Sequence, residues 1–329
     1  MTKKRKEEIQ PPWSNDPALR SKIPRDASTV LLLRDDAHGP PEVFMVRRHS
    51  GAAFMGGLWV FPGGKVDSSD SDQAMMAGTG SSILEQCLAR LEEATGSEAT
   101  SESAFALQVA AIRELFEEAG VLLGHTASER ALDEEALRQW QERVQQQGGA
   151  FVTMVQELNL VLDLDRLVYV SRWITPSAEP MRFDTRFFAA RAPANQVPLI
   201  DRAETTDGGW GHATTFLERH DKGELTLAPP TLRHLEELAA YQTVDDYLLA
   251  MAKRPVAPIL PKMVMDGGSM TVVLPWDPHY DSFQGESLDL GKSPHPLAGI
   301  GGPSRFVLRE GRFFSAFPYQ LPQRPNRNL

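Results

Sequence analysis

Two hydrophobic patterns along the chain predict a mixture of strands and helices. Short runs rich in β-branched and aromatic residues predict strands at 28–33, 42–47, 58–61, 167–174 and 186–190. Apolar residues at helical spacing predict helices at 82–94, 104–119, 129–147, 213–222 and 231–253. The helix at 104–119 should end at Gly120, because glycine accepts the left-handed conformation that follows many helices.

The two ends of the chain differ from this middle part. Residues 1–25 carry charges without an apolar pattern, and we expect them to be disordered. Residues 255–329 are rich in Pro and Gly, with strand-like pieces at 271–274 and 305–308 and no helix signal. We therefore expect a domain at 26–254 and a C-terminal extension that packs on this domain or mediates a homodimer.

Composition narrows the function classes. The 329 residues carry a formal net charge of −10, which argues against a protein that binds nucleic acid or an anionic membrane. An anionic small-molecule ligand would have to be held locally. The chain shows no apolar run long enough for a transmembrane helix and no signal peptide pattern, so we expect a cytoplasmic protein. Cys87 lies on the apolar face of the helix at 82–94, so we expect it to pack rather than to react.

Acidic residues are concentrated on one predicted helix. Glu114, Glu117 and Glu118 share a helix face, where like charges repel, and Arg113 alone cannot neutralise them. A hard divalent cation such as Mg²⁺ could, because it prefers oxygen ligands and bridges carboxylates to phosphates. The alternative is a solvated acidic face. The apolar residues on both sides and the glycine stop favour the metal site.

These residues resemble a known family. Residues 113–121, RELFEEAGV, reproduce the second half of the Nudix box, G-x5-E-x7-R-E-U-x-E-E-x-G-U with U aliphatic. Residues 61–67, FPGGKVD, resemble its first half, with Gly64 as the box glycine and Asp70 where the family has glutamate. The family spacing would place the arginine at position 78, whereas it is Arg113, so 35 residues are inserted.

The inserted segment, at about 68–103, splits the box, but the two halves can still meet because closure entropy grows slowly with loop length. With segments at 26–35, 42–67, 172–176 and 182–188, the split box resembles the coenzyme A diphosphatase-like Nudix hydrolases of the mammalian nudix type 19 group. The resemblance implies an α/β fold, a Nudix α/β/α sandwich with a mixed sheet and a helical insertion inside the box.

The resemblance also implies the site. It assigns Mg²⁺ or Mn²⁺ as cofactor, held by Glu114, Glu117, Glu118 and the Gly64 carbonyl. Arg113 would orient the glutamates by bidentate pairing. For the general base, Glu204 is the candidate outside the box, and Glu114 or Glu117 are the alternatives within it.

The substrate remains open at this stage. Arg47 and Arg48 could clamp a phosphate or be solvated. The coenzyme A motif of the family is matched by Gly57 and Arg48, but Ala53 and His49 replace its second arginine and its serine. The favoured substrate is coenzyme A or acyl-coenzyme A, cut to a 4′-phosphopantetheine product and adenosine 3′,5′-bisphosphate. The alternatives are hydrolysis of ADP-ribose, a dinucleotide or a nucleotide sugar, and a non-catalytic nucleotide sensor.

Three further features favour ordinary structural roles. The run DSSDSD, at 67–72, is interpreted as a flexible acidic linker rather than a calcium loop, since it lacks the closing glutamate. Trp173 and Trp210 are expected in the core rather than stacked on an adenine. His279 is not expected to be a ligand.

Overall fold

The computed structural model describes residues 23–51, 55–93, 99–128, 133–199, 205–266, 268–288, 290, 295–298 and 302–316. Most of the segment expected to be disordered, 1–25, lies outside the described residues. The strands are β1 (Arg25–Arg34), β2 (Glu42–Arg48), β3 (Trp59–Val60), β4 (Gly63–Lys65), β5 (Gly124–Thr126), β6 (Leu160–Leu162), β7 (Val168–Ile174), β8 (Phe183–Arg191), β9 (Thr205–His212), β10 (Pro258–Ile259), β11 (Lys262–Asp266), β12 (Ser269–Val273), β13 (Arg305–Arg309) and β14 (Arg312–Ser315). The α-helices are α1 (Gln73–Thr79), α2 (Ser81–Arg90), α3 (Ser101–Ala119), α4 (Glu134–Gln146), α5 (Ala150–Glu157), α6 (Ala213–Asp221), α7 (Pro229–Leu238) and α8 (Val244–Lys253).

A mixed sheet of eight strands forms the centre of the molecule. Its order is β10-β7-β8-β1-β2-β3, with β4 paired to β1 and β9 paired to β2. The pairs β1–β8 and β10–β7 are parallel, and the other pairs are antiparallel. The mixed sheet confirms the fold class that the sequence resemblance implies.

Successive apolar side chains of the central strands point to opposite faces of this sheet, and a buried core lies on each face. In β1, Val30 and Leu32 join one buried cluster, and Leu31 and Leu33 join the other. The first cluster includes residues of α2, α3 and α5, and the second includes residues of α6, α7 and α8. Successive strand side chains point to opposite faces, so a strand with no polar alternation must be covered on both sides. The result is three layers, α/β/α.

The inserted segment contributes two helices, α1 and α2, to the layer beside α3. Cys87 is fully buried in the first cluster, which confirms its packing role, and burial raises the pKa of its thiol. Glu93 follows α2 and is buried, accepting hydrogen bonds from the Tyr169 hydroxyl (2.9 Å) and from Arg172 Nη1 (3.2 and 3.3 Å). The insertion is therefore anchored to β7 of the sheet.

The C-terminal extension forms a second sheet on the side of the central sheet that carries α6, α7 and α8. Strands β11 to β14 pair in chain order, each antiparallel to the next. Val272, Leu274 and Phe306 join the second buried cluster. The carbonyl of Phe313 lies 2.7 Å from His220 Nε2 on α6. The extension therefore packs on the domain.

Several elements depart from the patterns in the sequence. The region 231–253 was expected to be one helix, but the structure has two, and Thr243 caps the second by accepting a hydrogen bond from the Asp246 N–H (3.1 Å). Helix α5 and strand β9 were not predicted. No helix among the described residues has the length and apolar character needed to cross a membrane.

Candidate active site

Helix α3 carries the acidic cluster, and its ends are set by local sequence. The Thr100 side chain accepts a hydrogen bond from the Ser103 N–H, which caps the first turn. Gly120 follows the last turn with φ 65°, the left-handed conformation expected from the sequence. Most of the helix is buried, and the Ser28 hydroxyl donates to the Leu107 carbonyl (2.6 Å), which joins α3 to β1. The helix is therefore a rigid support for its carboxylates.

Arg113 connects the two halves of the split motif. All five of its N–H groups are hydrogen-bonded, two of them to Asp70, at 2.7 Å from Nε and 2.9 Å from Nη2. The second Nη2 hydrogen goes to the Lys65 carbonyl at 2.8 Å. Nη1 donates to Glu114 (2.9 Å) and to Glu117 (3.0 Å). The guanidinium thus holds the loop, the insertion and two glutamates in one arrangement.

Asp70 corrects the interpretation of the run DSSDSD as a flexible linker. Residues Ser68–Ser71 form a short 3-10 helix, and Asp70 is 1% exposed. Its carboxylate also accepts from the Asp67 N–H at 2.7 Å. Asp72 caps α1 by accepting from the Met75 N–H at 2.9 Å. The run is ordered because two of its aspartates hold backbone groups and one also pairs with Arg113.

Two successive glycines bring the loop onto the acidic helix. The Gly63 N–H donates to Glu118 Oε2 at 3.0 Å. A Cβ at Gly64 would lie 2.4 Å from Glu114 Oε1, closer than real Cβ contacts allow. The glycine motif therefore lets the backbone lie directly against both carboxylates.

Burial and charge pairing shift the pKa values of the cluster. Burial raises the pKa of Glu114 to about 7, although the positive charge of Arg113 opposes the shift. Burial alone would lower the pKa of Arg113, but its hydrogen bonds and charge pairing with Asp70 and Glu114 raise it well above its ordinary value. Arg113 therefore stays charged and counterbalances the carboxylates around it.

The oxygen atoms of the acidic cluster are the type of ligand that a hard divalent cation prefers. Glu114, Glu117 and Glu118 offer carboxylate oxygens, and Gly64 leaves the space beside Glu114 that a side chain would fill. Across the described ranges, however, no three acidic, histidine or cysteine side chains converge as a group that could hold a metal. Arg113 donates hydrogen bonds to one carboxylate oxygen of Glu114 and one of Glu117, and the Gly63 N–H donates to one oxygen of Glu118. Metal binding by these residues remains a prediction.

The structure separates the two arginines that were expected to hold phosphate. Arg48 Nη1 lies 4.0 Å from Glu118 Oε1, so this side chain reaches the acidic cluster. Arg47 is exposed and donates from Nε to the Gly57 carbonyl at 3.3 Å. The ladder between β2 and β9 is irregular between these two residues. Glu204, the candidate base, lies outside the described residues, as does Ala53.

Two glutamines of α4 hold the end of α3, and they were not among the residues predicted for the site. Gln141 Nε2 and Gln145 Nε2 donate to the Glu117 carbonyl, at 3.0 and 2.7 Å. The last carbonyls of a helix lack partners within it, so side chains from elsewhere must satisfy them when they are buried. The spacing of four residues between the glutamines on a polar helix is the only local signal.

The two tryptophans have packing roles. Trp173 is buried in the second cluster, which confirms the expectation for it. Trp210 packs against the first cluster, edge-on to Phe44 with ring centroids 5.5 Å apart, and the Arg34 guanidinium lies 4.4 Å from its ring centroid.

Comparison of the sequence with known proteins identifies the family of this chain. The sequence model of the NUDT19 Nudix domain matches residues 24–238. Among curated relatives, the acyl-coenzyme A diphosphatase NUDT19 of Xenopus laevis is 28% identical over 233 residues, which cover 62% of this chain and 61% of the relative. The protein of the same name from Gallus gallus is 29% identical over 272 residues, covering 68% of this chain and 70% of the relative.

A solved structure supports the fold independently. The NUDIX hydrolase from Alicyclobacillus acidocaldarius is 28% identical, with a TM-score of 0.58, and the match covers 71% of this chain and 100% of that one. The family match spans both halves of the split motif, from the loop at 61–67 to α3. The chain therefore belongs to the Nudix hydrolase family, in the branch of the NUDT19 Nudix domain.

Proposed function

We propose that this protein is a divalent-metal-dependent hydrolase of coenzyme A or acyl-coenzyme A. Water would add across the diphosphate, giving a 4′-phosphopantetheine product and adenosine 3′,5′-bisphosphate. The observation that carries the proposal is the closure of the split box, in which Arg113 joins Asp70, Lys65, Glu114 and Glu117. The names of the NUDT19 relatives support the substrate.

The proposed cofactor is Mg²⁺ or Mn²⁺. Its ligands would be Glu114, Glu117, Glu118 and the carbonyl of Gly64. A bound divalent cation would neutralise charge on the nonbridging phosphate oxygens and help orient the diphosphate. This role is consistent with the hard oxygen donors that the helix presents and with the close approach of the Gly64 backbone to Glu114.

The chain's own residues would position these groups. Arg113 holds Glu114 and Glu117 through its Nη1 hydrogens, so it acts as a positioning residue. The Gly63 N–H fixes one oxygen of Glu118. Arg48 would contact a substrate phosphate, and its proximity to Glu118 and its partial exposure support this role. Arg47 as a second phosphate contact and Glu204 as general base remain proposals, with Glu114 or Glu117 as alternative bases.

One sequence observation favours a second candidate function. Ala53 and His49 replace two residues of the coenzyme A motif. Hydrolysis of ADP-ribose, a dinucleotide or a nucleotide sugar would use the same diphosphate chemistry without those contacts. A nucleotide sensor without catalysis is the third candidate, but it would not require a complete set of carboxylates.

A substrate panel separates these functions. The purified protein is given coenzyme A, acetyl-coenzyme A, ADP-ribose, NADH or a diadenosine polyphosphate, with Mg²⁺ or Mn²⁺, and the products are identified by mass. The highest kcat/KM on coenzyme A or acetyl-coenzyme A, with the two products above, supports the proposal. A higher value on ADP-ribose or NADH supports the second function. Binding without cleavage of any of them would support the sensor.

The proposal extends to location and assembly. We expect the enzyme in the cytoplasm, acting on a small molecule and not on nucleic acid or a membrane, and we propose a homodimer as its assembly. Microscopy of a tagged chain and light scattering of the purified protein test these two points.

A further inference from the structure

Arg48 stands beside the acidic cluster on a backbone that the neighbouring strands hold in place. Its N–H donates to the Leu58 carbonyl at 3.0 Å, and its carbonyl accepts from the Gly57 N–H at 3.2 Å. On the other side of β2, the ladder with β9 shifts register between Arg47 and Arg48. Irregularities of this kind re-aim side chains and are common next to active sites. The backbone of Arg48 is therefore fixed, and its side chain reaches the acidic cluster.

The protein satisfies the guanidinium of Arg48 only in part. Nη1 lies 4.0 Å from Glu118 Oε1, an ion pair longer than a hydrogen bond. Nε is buried and has no hydrogen-bond partner among the described residues. A guanidinium N–H only donates, so this group requires an acceptor when it is buried. The guanidinium is therefore attracted to Glu118 by charge, while one of its donors is left for a further acceptor.

Arg48 opposes the binding of a second cation to Glu118. The Gly63 N–H holds Glu118 Oε2 at 3.0 Å, and the Glu118 side chain is 4% exposed. Salt and water screen charges weakly in such a buried place. A guanidinium 4.0 Å from Oε1 stabilises this carboxylate and repels a divalent cation that binds the same side chain. Arg48 should therefore lower the affinity of the acidic helix for a divalent cation that binds alone.

A phosphate at the same place reverses this effect. Its oxygens attract the cation and the guanidinium together, and the planar guanidinium matches the geometry of a phosphate. The Nε donor of Arg48 also gains its acceptor. The cation and the phosphate then stabilise each other's binding, and this coupling has the same size in both directions.

We propose that Arg48 couples the binding of the divalent cation to the binding of the substrate phosphate. This role rests on the proposed function of the site. Arg48 disfavours the cation alone and favours it together with the phosphate. The enzyme therefore binds its metal and its substrate as a pair.

Binding of Mn²⁺ measures this coupling without turnover. Free Mn²⁺ is followed by electron paramagnetic resonance during titration of the wild type and Arg48→Gln, each with and without adenosine 3′,5′-bisphosphate. The bisphosphate is kept at a concentration that leaves free Mn²⁺ unchanged in a protein-free control. We expect it to lower the Mn²⁺ Kd of the wild type about ten-fold. Arg48→Gln should bind Mn²⁺ alone about five-fold more tightly than the wild type, and the bisphosphate should then change its Kd by less than about two-fold.

Two further variants separate the local charge from general effects. Arg138→Gln removes the same charge from an exposed position on α4, 3.9 Å from Glu135, and should behave like the wild type. Arg48→Lys keeps the positive charge, so it should bind Mn²⁺ alone as weakly as the wild type, and it serves if Arg48→Gln unfolds. Calorimetric titration of the wild type with the bisphosphate should show the same factor, with binding about ten-fold tighter in Mn²⁺.

The outcomes distinguish this coupling from the proposed function. Equal Mn²⁺ Kd values for the wild type and Arg48→Gln, in a protein that binds Mn²⁺ and cleaves coenzyme A, would overturn the coupling alone. A wild type that binds no Mn²⁺ would overturn both. Coupling that is lost in Arg48→Gln, in a protein that prefers ADP-ribose, would support the role of Arg48 and correct only the substrate.

Discussion

Arg113 and Asp70 form a two-pronged ion pair, with Nε–Oδ1 at 2.7 Å and Nη2–Oδ2 at 2.9 Å, although 43 positions separate them in the chain. Both side chains are buried, at 5% and 1% exposed. The pair closes the loop that contains α1 and α2. The long insertion therefore leaves the geometry of the acidic helix and the glycine loop intact.

Removing this pair should destabilise the protein. Asp70→Asn removes the carboxylate that accepts from Nε and Nη2 of the buried Arg113, while Glu114 and Glu117 stay beside Nη1, so we expect a cost on the order of 1–3 kcal/mol of unfolding free energy. Urea denaturation measures the loss. Asp72→Asn, two positions away, is the control and should change little, because asparagine caps α1 as well as aspartate does. Equal stability of the two variants would contradict a structural role for the pair.

Adding one methyl group at Gly64 should affect activity more than stability. The new Cβ would press on the Glu114 carboxylate, and that flexible side chain can move away and leave its place. We expect Gly64→Ala to lose most of its diphosphatase activity while its Tm falls by only a few degrees. Gly78→Ala on α1, where a Cβ would meet nothing within 4 Å, should keep full activity. Full activity in Gly64→Ala would argue against a role for this contact.

The glutamines of α4 should influence the metal dependence of the reaction. Gln145→Leu removes one hydrogen bond to the Glu117 carbonyl and frees the end of α3. We expect the Mg²⁺ concentration for half-maximal activity to rise several-fold, while the KM for coenzyme A stays the same. Gln139→Leu, on the same helix and bonded to Glu135, is the matched control. An unchanged Mg²⁺ requirement in Gln145→Leu would show that these bonds serve stability alone.

His234 should make the stability fall in mild acid. Burial lowers the pKa of His234 in the folded protein to about 4, whereas the unfolded chain has the ordinary value near 6.5. Between these values the unfolded state binds more protons, so stability is complete above pH 6.5 and is lost as the pH falls toward 4. The loss amounts to about 3 kcal/mol. Urea denaturation at pH 7 and pH 4 should show a smaller drop for His234→Gln than for the wild type, and equal drops would contradict this origin.

The parts of the fold that depend on local patterns could be predicted from the sequence. The acidic helix was expected at 104–119 and spans Ser101–Ala119, because its apolar residues recur at helical spacing and Gly120 ends it. The bounds of the first two strands were expected to within three residues, since their apolar runs face two cores. The core position of Cys87 followed from the same periodicity.

Features that depend on long-range contacts could not be predicted. Strand β9 contains three glycines and shows no alternation, and it forms because β2 pairs with it along its length. The break between α7 and α8 contains neither Gly nor Pro, and only the cap at Thr243 marks it. The run at 67–72 looked like a flexible linker because its burial depends on Arg113, far along the chain.

The most direct measurement compares coenzyme A hydrolysis by the wild type, Glu118→Gln and Glu102→Gln in Mg²⁺, with products identified by mass. Glu118 accepts from the Gly63 N–H in the acidic cluster, whereas Glu102 is exposed in the first turn of the same helix. We predict that the wild type and Glu102→Gln release adenosine 3′,5′-bisphosphate and 4′-phosphopantetheine, and that Glu118→Gln is at least 100-fold slower. Equal rates in the three proteins would contradict the account of this site.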